Sequence, residues 1–136
     1  MVKDIEDNNT ITNTNSKTNF HELCNDVAKL DSRIAGALII RNSKLLATSI
    51  GAGAPLPINK YLTKLLLHAQ IMSGIPLANE PVFGGFNFTL ISHEKLENIL
   101  FHLQKRNVIL VVGILPPYDR NILLEKIRNF LIQIDD

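Results

Sequence analysis

The chain has 136 residues, 46% hydrophobic and 20% charged, with 14 Lys and Arg against 13 Asp and Glu for a formal net charge of +1. Those figures fit one soluble domain able to bury a core without a disulfide or metal, and they leave no electrostatic footprint for nucleic acid or an anionic membrane. A single cysteine, Cys24, excludes an internal disulfide and a zinc quartet, and 6% aromatics without Trp argue against a stacking platform for single strands.

Residues 1–18 read as a disordered polar tail and residues 19–136 as the folded domain. Asp7 to Asn19 (DNNTITNTNSKTN) holds one apolar side chain, Ile11, too little burial to offset the entropy of ordering. The start Met1 to Asp7 has neither the basic opening nor the apolar stretch of a signal peptide. The longest apolar run, Val108 to Leu115, is far short of the ~20 residues a bilayer needs. A cytoplasmic protein is the expectation.

Asn19 offers an N-cap and Glu22 closes a capping box, so a first helix is expected to carry Phe20, Leu23, Cys24 and Val27 on one stripe to about Asp31. The apolar run Ile34–Ile40, the turn Arg41-Asn42-Ser43-Lys44 and the run Leu45–Ile50 predict a hairpin. After a loop from Gly51 to Pro57, a second helix is expected over Ile58–Ser73, with Pro57 at its first position and Gly74 and Pro76 stopping it. Its expected core face is Ile58, Tyr61, Leu62, Leu65, Leu66, Ala69 and Met72. Gly84-Gly85 suggests a bend entering a third strand, Phe86 to Ser92, with Phe86, Phe88 and Leu90 on one face. A fourth strand around Ile99, Phe101 and Leu103 precedes a fifth, Val108–Leu115, apolar on both faces. Beyond Pro116-Pro117, a last helix over Asp119–Ile134 turns Leu123, Leu124, Ile127, Phe130, Leu131 and Ile134 inward.

Strands apolar on both faces belong in the middle of a covered sheet. Placing the first and fifth there, with hairpin neighbours adjacent, gives the antiparallel order 2-1-5-4-3, helices on both faces, and the second and third strands at the edges. The expected class is α+β, in the order α-β-β-α-β-β-β-α.

That order, with the hairpin Ile34–Ile50, the helix Ile58–Ser73 and the closing stretch VILVVGILPPYDRNILLEKIRNFL, resembles the Roadblock (dynein light chain) family, a profilin-like fold. The resemblance covers Asn19 to Gln133. It is one of pattern, and the hairpin turn departs from it: the family often turns on Asp and Gly, this chain on Arg41-Asn42-Ser43-Lys44. The opening HELCNDVAKLDSRI is also similar to small archaeal proteins of related layout, from which no function follows. Roadblock membership implies an adaptor that regulates or anchors small GTPases and motor complexes, non-catalytic and without a cofactor. It also implies dimers that pair third strands edge to edge and stack second helices.

Two features read from the residues suit that arrangement. The stretch Phe86-Asn87-Phe88-Thr89-Leu90-Ile91-Ser92 carries no charge or proline, so it is undefended as an edge. On the second helix Leu67 and Ile71 fall opposite the core stripe. The expected homodimer interface is therefore Leu67, Ile71, Phe86, Asn87, Phe88, Thr89 and Leu90. Lys60, Lys64 and His68 form a basic stripe on a helix without acids and are the candidate contact for a protein partner.

Sites of chemistry are sparse. His21 and Cys24 stand three apart, but Cys24 lies mid-stripe among core residues. No histidine has metal-ligand spacing. Gly51-Ala52-Gly53 lacks the third glycine of a dinucleotide fingerprint and the Lys-Ser or Lys-Thr of a P-loop. Glu94 and Glu97 are expected in a solvated turn. No nucleophile, base and orienter can be named together, which weighs against an enzyme. The alternative to the adaptor is a small-molecule sensor of the PAS or GAF kind, with Thr48, Asn87, Thr89 and His102 as the polar groups available to line a pocket.

Overall fold

The computed structural model of the chain describes residues 11–51, 54 and 59–134. Its elements are α1 (Ile11–Ala28), β1 (Ile34–Arg41), β2 (Lys44–Ile50), α2 (Asn59–Ala78), α3 (Glu80–Phe83), β3 (Thr89–Ser92), β4 (Glu97–Leu103), β5 (Val108–Ile114) and α4 (Arg120–Ile134). The strands form one sheet in the expected order β2-β1-β5-β4-β3, and every pairing is antiparallel.

Strand alternation divides the core into two layers. From β5, Leu110 and Val112 face one way and meet Leu23, Cys24 and Val27 of α1 with Leu123, Ile127 and Leu131 of α4. Ile109 and Val111 face the other way and meet Leu66 and Ala69 of α2. At one margin of the first layer, the guanidinium groups of Arg41 and Arg106 lie 5.9 Å and 5.7 Å from the Phe20 ring. Among the described residues no helix is long and apolar enough to cross a membrane.

The β1–β2 connection explains how the hairpin forms without an Asp-Gly pair. Asn42 and Ser43 both have positive φ, 51° and 65°, the backbone of a two-residue turn whose twist matches the flanking strands. Asn tolerates that region well. The Ser43 N–H donates to Gln70 Oε1 on α2 at 3.0 Å, tying the turn to the helix.

Four boundaries differ from the sequence expectation. Helix α1 begins at Ile11, so Asn19 lies inside it and is not its N-cap; once a turn exists each further residue adds a hydrogen bond, and a helix extends through poor formers. The expected disordered tail falls, over residues 1–10, outside the described residues, as do Pro57 and Ile58. Helix α2 runs past Gly74 and Pro76 to Ala78. Pro76 has no N–H to offer Met72 O four residues back, and that carbonyl instead accepts from Thr89 Oγ1 at 3.4 Å.

The third difference is α3, which sequence periodicity did not show. Gly84 (φ 88°) caps it, donating its N–H to Glu80 O at 2.8 Å, so Gly84-Gly85 ends a helix rather than bending a strand. Fourth, β3 spans only Thr89–Ser92. The Phe86 N–H donates to Glu80 Oε2 at 2.7 Å and is spent on α3 rather than on a ladder. The core face of α2 is also narrower than expected. Leu66, Ala69 and Ser73 are buried and Leu62 half-buried, whereas Tyr61 and Met72 are exposed, because one helix laid on a sheet buries only a narrow stripe.

Candidate interaction surface

The outer side of α2 carries an apolar stripe in contact with solvent. Leu67 and Ile71 are each 49% exposed, as expected for the side opposite the core, and Ile75 extends the row one more turn. Exposure rises along the chain into α3, where Phe83 is 82% exposed. Scattered apolar residues on a surface need no explanation, but a contiguous row of them does. Ile75, Val82 and Phe83 were missed in the sequence because Gly74 and Pro76 read as a stop.

Beside this stripe lies the sheet edge. Strand β3 pairs only with β4, so its outer backbone groups meet no other described strand. Thr89 touches α2 through its hydroxyl, while Phe88 and Leu90 turn to the opposite layer and pack on the α1/α4 core; the Phe88 and Phe101 rings are 6.5 Å apart at 47°. Of the seven expected interface residues, Leu67, Ile71 and Thr89 thus lie on the α2 side. The side chains of Phe88 and Leu90 are spent on the opposite layer, and Phe86, Asn87 and Phe88 precede the strand. A groove of about 590 Å³ separates the two features, lined by Met72, Ile75 and Phe83 on the helical side and by Phe88 and Thr89 on the strand side.

Lys64 and His68 are exposed on α2, and Lys60 Nζ sits 5.2 Å from the Tyr61 ring. At about 100° per residue they interleave with Leu67, Ile71 and Ile75 on one face. Along the axis they overlap only at Leu67 and His68: Lys60 and Lys64 lie toward the start of the helix and Ile71 and Ile75 toward its end, with Lys60 and Ile75 about 22 Å apart.

The other sequence candidates resolve individually. Cys24 is fully buried, and that burial pushes its thiol up to about 12, where it stays protonated and unreactive. His102 Nε2 lies 3.2 Å from Asn107 Oδ1, and His102 shares one pocket with Asn87; Asn87 and Thr89 line the β3 groove, and Thr48 lies on β2, three strands from β4. The four polar residues considered for a sensor pocket therefore do not converge on one cavity.

Glu97 contradicts its expected place in a solvated turn, being only 5% exposed. It accepts from Ser92 Oγ, from Tyr118 OH at 2.6 Å and from Arg120 Nη2 at 3.0 Å and 3.1 Å. Ser92, then Tyr118 and Arg120, hold its carboxyl below the usual carboxylate range against the opposing effect of burial. The cluster joins the β3–β4 hairpin to the start of α4. It could not be read from the sequence, since the bond from Arg120 to Glu97 spans 23 residues.

Comparison with known proteins returns neither a matching family model nor a curated relative. Solved structures do match. A Roadblock/LC7 domain from Streptomyces avermitilis superposes with a TM-score of 0.64 at 8% identity, covering 84% of this chain and 92% of that one. The chain has the Roadblock/LC7 fold. MglB of Myxococcus xanthus gives a TM-score of 0.64 at 13% identity over 99% of this chain and 91% of its own. The gliding protein MglB of Thermus thermophilus gives 0.62 at 16% identity, covering 81% of each. Another MglB structure that matches is described as having a tetrameric arrangement. Such identities explain why the Roadblock pattern is legible as element order and not as a motif: the fold constrains which positions are apolar, and few positions constrain the residue itself.

Proposed function

We propose that this chain is a non-catalytic adaptor of the Roadblock type, which pairs with a second copy and docks a protein partner, a small GTPase. The observation that carries the reading is the juxtaposition of an unpaired strand edge with an exposed aliphatic row one groove away. An edge partner satisfies the free backbone groups of β3, and a facing helix buries Leu67, Ile71 and Ile75. The Roadblock fold supports the reading, because that resemblance implies dimers built from these two elements.

The charge pattern divides the work along α2. In a symmetric pair, Lys60 and Lys64 brought face to face would repel, so the crossing point belongs at Ile71 and Ile75. The first half of the helix, with three basic side chains and no acid, is then left to the partner. An acidic surface on the GTPase is the complement.

The test is the solution mass of the full chain by light scattering. The wild type is expected to be a dimer, and Leu67→Glu combined with Thr89→Lys is expected to halve its mass without loss of the far-ultraviolet spectrum. An unchanged mass would remove this interface. Capture of a GTPase from lysate in the GTP-loaded or GDP-loaded state, lost in Lys60→Glu/Lys64→Glu, tests the partner surface. Capture that ignores both nucleotide and charge reversal would overturn it.

A further inference from the structure

Between the sheet and the inner face of α2 lies a second space, distinct from the groove at β3. It provides about 60 Å³ open to water centres. Its floor follows from register: Gly36 on β1 pairs with Gly113 on β5, and Gly113 pairs with Asn98 on β4. Two of three consecutive cross-strand positions thus lack side chains on the layer that α2 covers.

The two glycines differ in kind. A Cβ at Gly36 would come within 2.7 Å of Ile50 Cδ1 and of Ser49 O, so close approach requires glycine there. A Cβ at Gly113 would meet Asn98 Oδ1 at 3.4 Å and Leu96 methyls at 3.6 Å, a contact that approaches ordinary packing. Gly113 leaves room beside Asn98 that a side chain could have filled.

Asn98 is the one polar side chain among the described lining residues; Leu38, Leu65 and Val111 supply apolar wall. Its carboxamide has two donors and an acceptor, yet it has no partner among the described residues. An amide without a partner beside an apolar space can complete its hydrogen bonds with a molecule seated there. Mostly apolar walls with one placed polar group are the composition of a small-molecule site.

We infer that this cavity binds a small neutral molecule with an apolar body and one hydroxyl or carbonyl oxygen, oriented by the Asn98 carboxamide. Neutrality follows because no charged side chain is among the described residues that line the space. Size follows from volume: one water needs about 10–15 Å³ of such space, so the cavity admits a ligand of roughly five or six heavy atoms. The site is built from the sheet and the inner face of α2, so it stands whether or not the adaptor reading does.

The probe is cyclopentanol, titrated into the isotope-labelled full chain and followed by NMR. Expected are saturable shifts of the Asn98 side-chain amide at concentrations on the order of millimolar, with Overhauser contacts from the probe to Leu38, Leu65 and Val111 methyls. Methylcyclopentane, which lacks the oxygen, is expected to bind at least tenfold more weakly. In Asn98→Leu that preference should vanish, and Ala54→Phe, which places a ring at the cavity margin, should abolish binding. The wild-type contacts need no variant to fold. Absence of a saturable Asn98 shift, contacts elsewhere, or equal binding of the two probes would overturn the assignment.

Discussion

On one face of the sheet, α1 and α4 close over β1, β4 and β5 until Ile39, Ile99, Leu110 and Ile127 are wholly shielded from solvent. On the other, α2 lies over a smaller cluster of Ile40, Leu100, Ile109 and Val111, and that side keeps a cavity and, without a partner among the described residues, the Asn98 amide and the Ser73 hydroxyl. Two helices on one layer can fill space by interdigitation, whereas a single helix cannot cover five strands. The less completely packed side is also the side with the exposed aliphatic row and the free strand edge. The larger core lies on one face, and the surface available for recognition on the other.

Core truncation gives the largest expected difference. Ile127→Ala should cost about 4 kcal/mol, because the close-packed layer cannot collapse into the space, while Leu66→Ala should cost nearer 2 kcal/mol, because Leu66 belongs to the smaller core and is itself 8% exposed. Urea unfolding of both variants measures this, and equal losses would break the contrast between the faces.

Glu97 sharpens it from the closed side. Glu97→Gln should cost roughly 1–3 kcal/mol, since it weakens charge-assisted bonds at a buried position. Because the folded carboxyl is held below its ordinary value, the stability it adds is complete above about pH 4.3 and is lost as pH falls through the folded value. Asp31, held low by the Arg33 backbone N–H and by Lys126, contributes in the same direction. Acid titration of unfolding free energy should therefore fall less steeply in Glu97→Gln than in wild type; parallel curves would show that Glu97 is not the responsible group.

The smallest effect is expected on the open face. Ser73→Ala removes a buried hydroxyl that makes no hydrogen bond among the described residues, so stability should rise by about 0.5–1 kcal/mol. A loss of similar size would show that the hydroxyl has a partner after all.

Much of the fold was legible because strand alternation and helix periodicity are local. Val108 to Ile114, apolar on both faces, could only be a central strand, and from that the order 2-1-5-4-3 followed. The exposed side of α2 was legible in the same way at Leu67 and Ile71. Its continuation through Ile75 to Phe83 was not, since the bond that replaces the one Pro76 cannot make comes from Thr89, on another element. Glu97 misled for a similar reason: flanked by Glu94, Lys95 and Asn98 it reads as turn, and only the approach of Tyr118 and Arg120 makes its burial tolerable.

By itself the sequence determined which residues seek an apolar environment and with what period, and so the element order, the central strands and the α2 row. Tertiary structure decided where α2 and β3 begin and end, that Glu97 is buried, and that Gly36, Gly113 and Asn98 line up beneath a helix. The physical reason is range. Periodicity and turn geometry act over a few residues, whereas a carbonyl freed by proline, a buried carboxylate and a cavity each depend on atoms that only folding brings together.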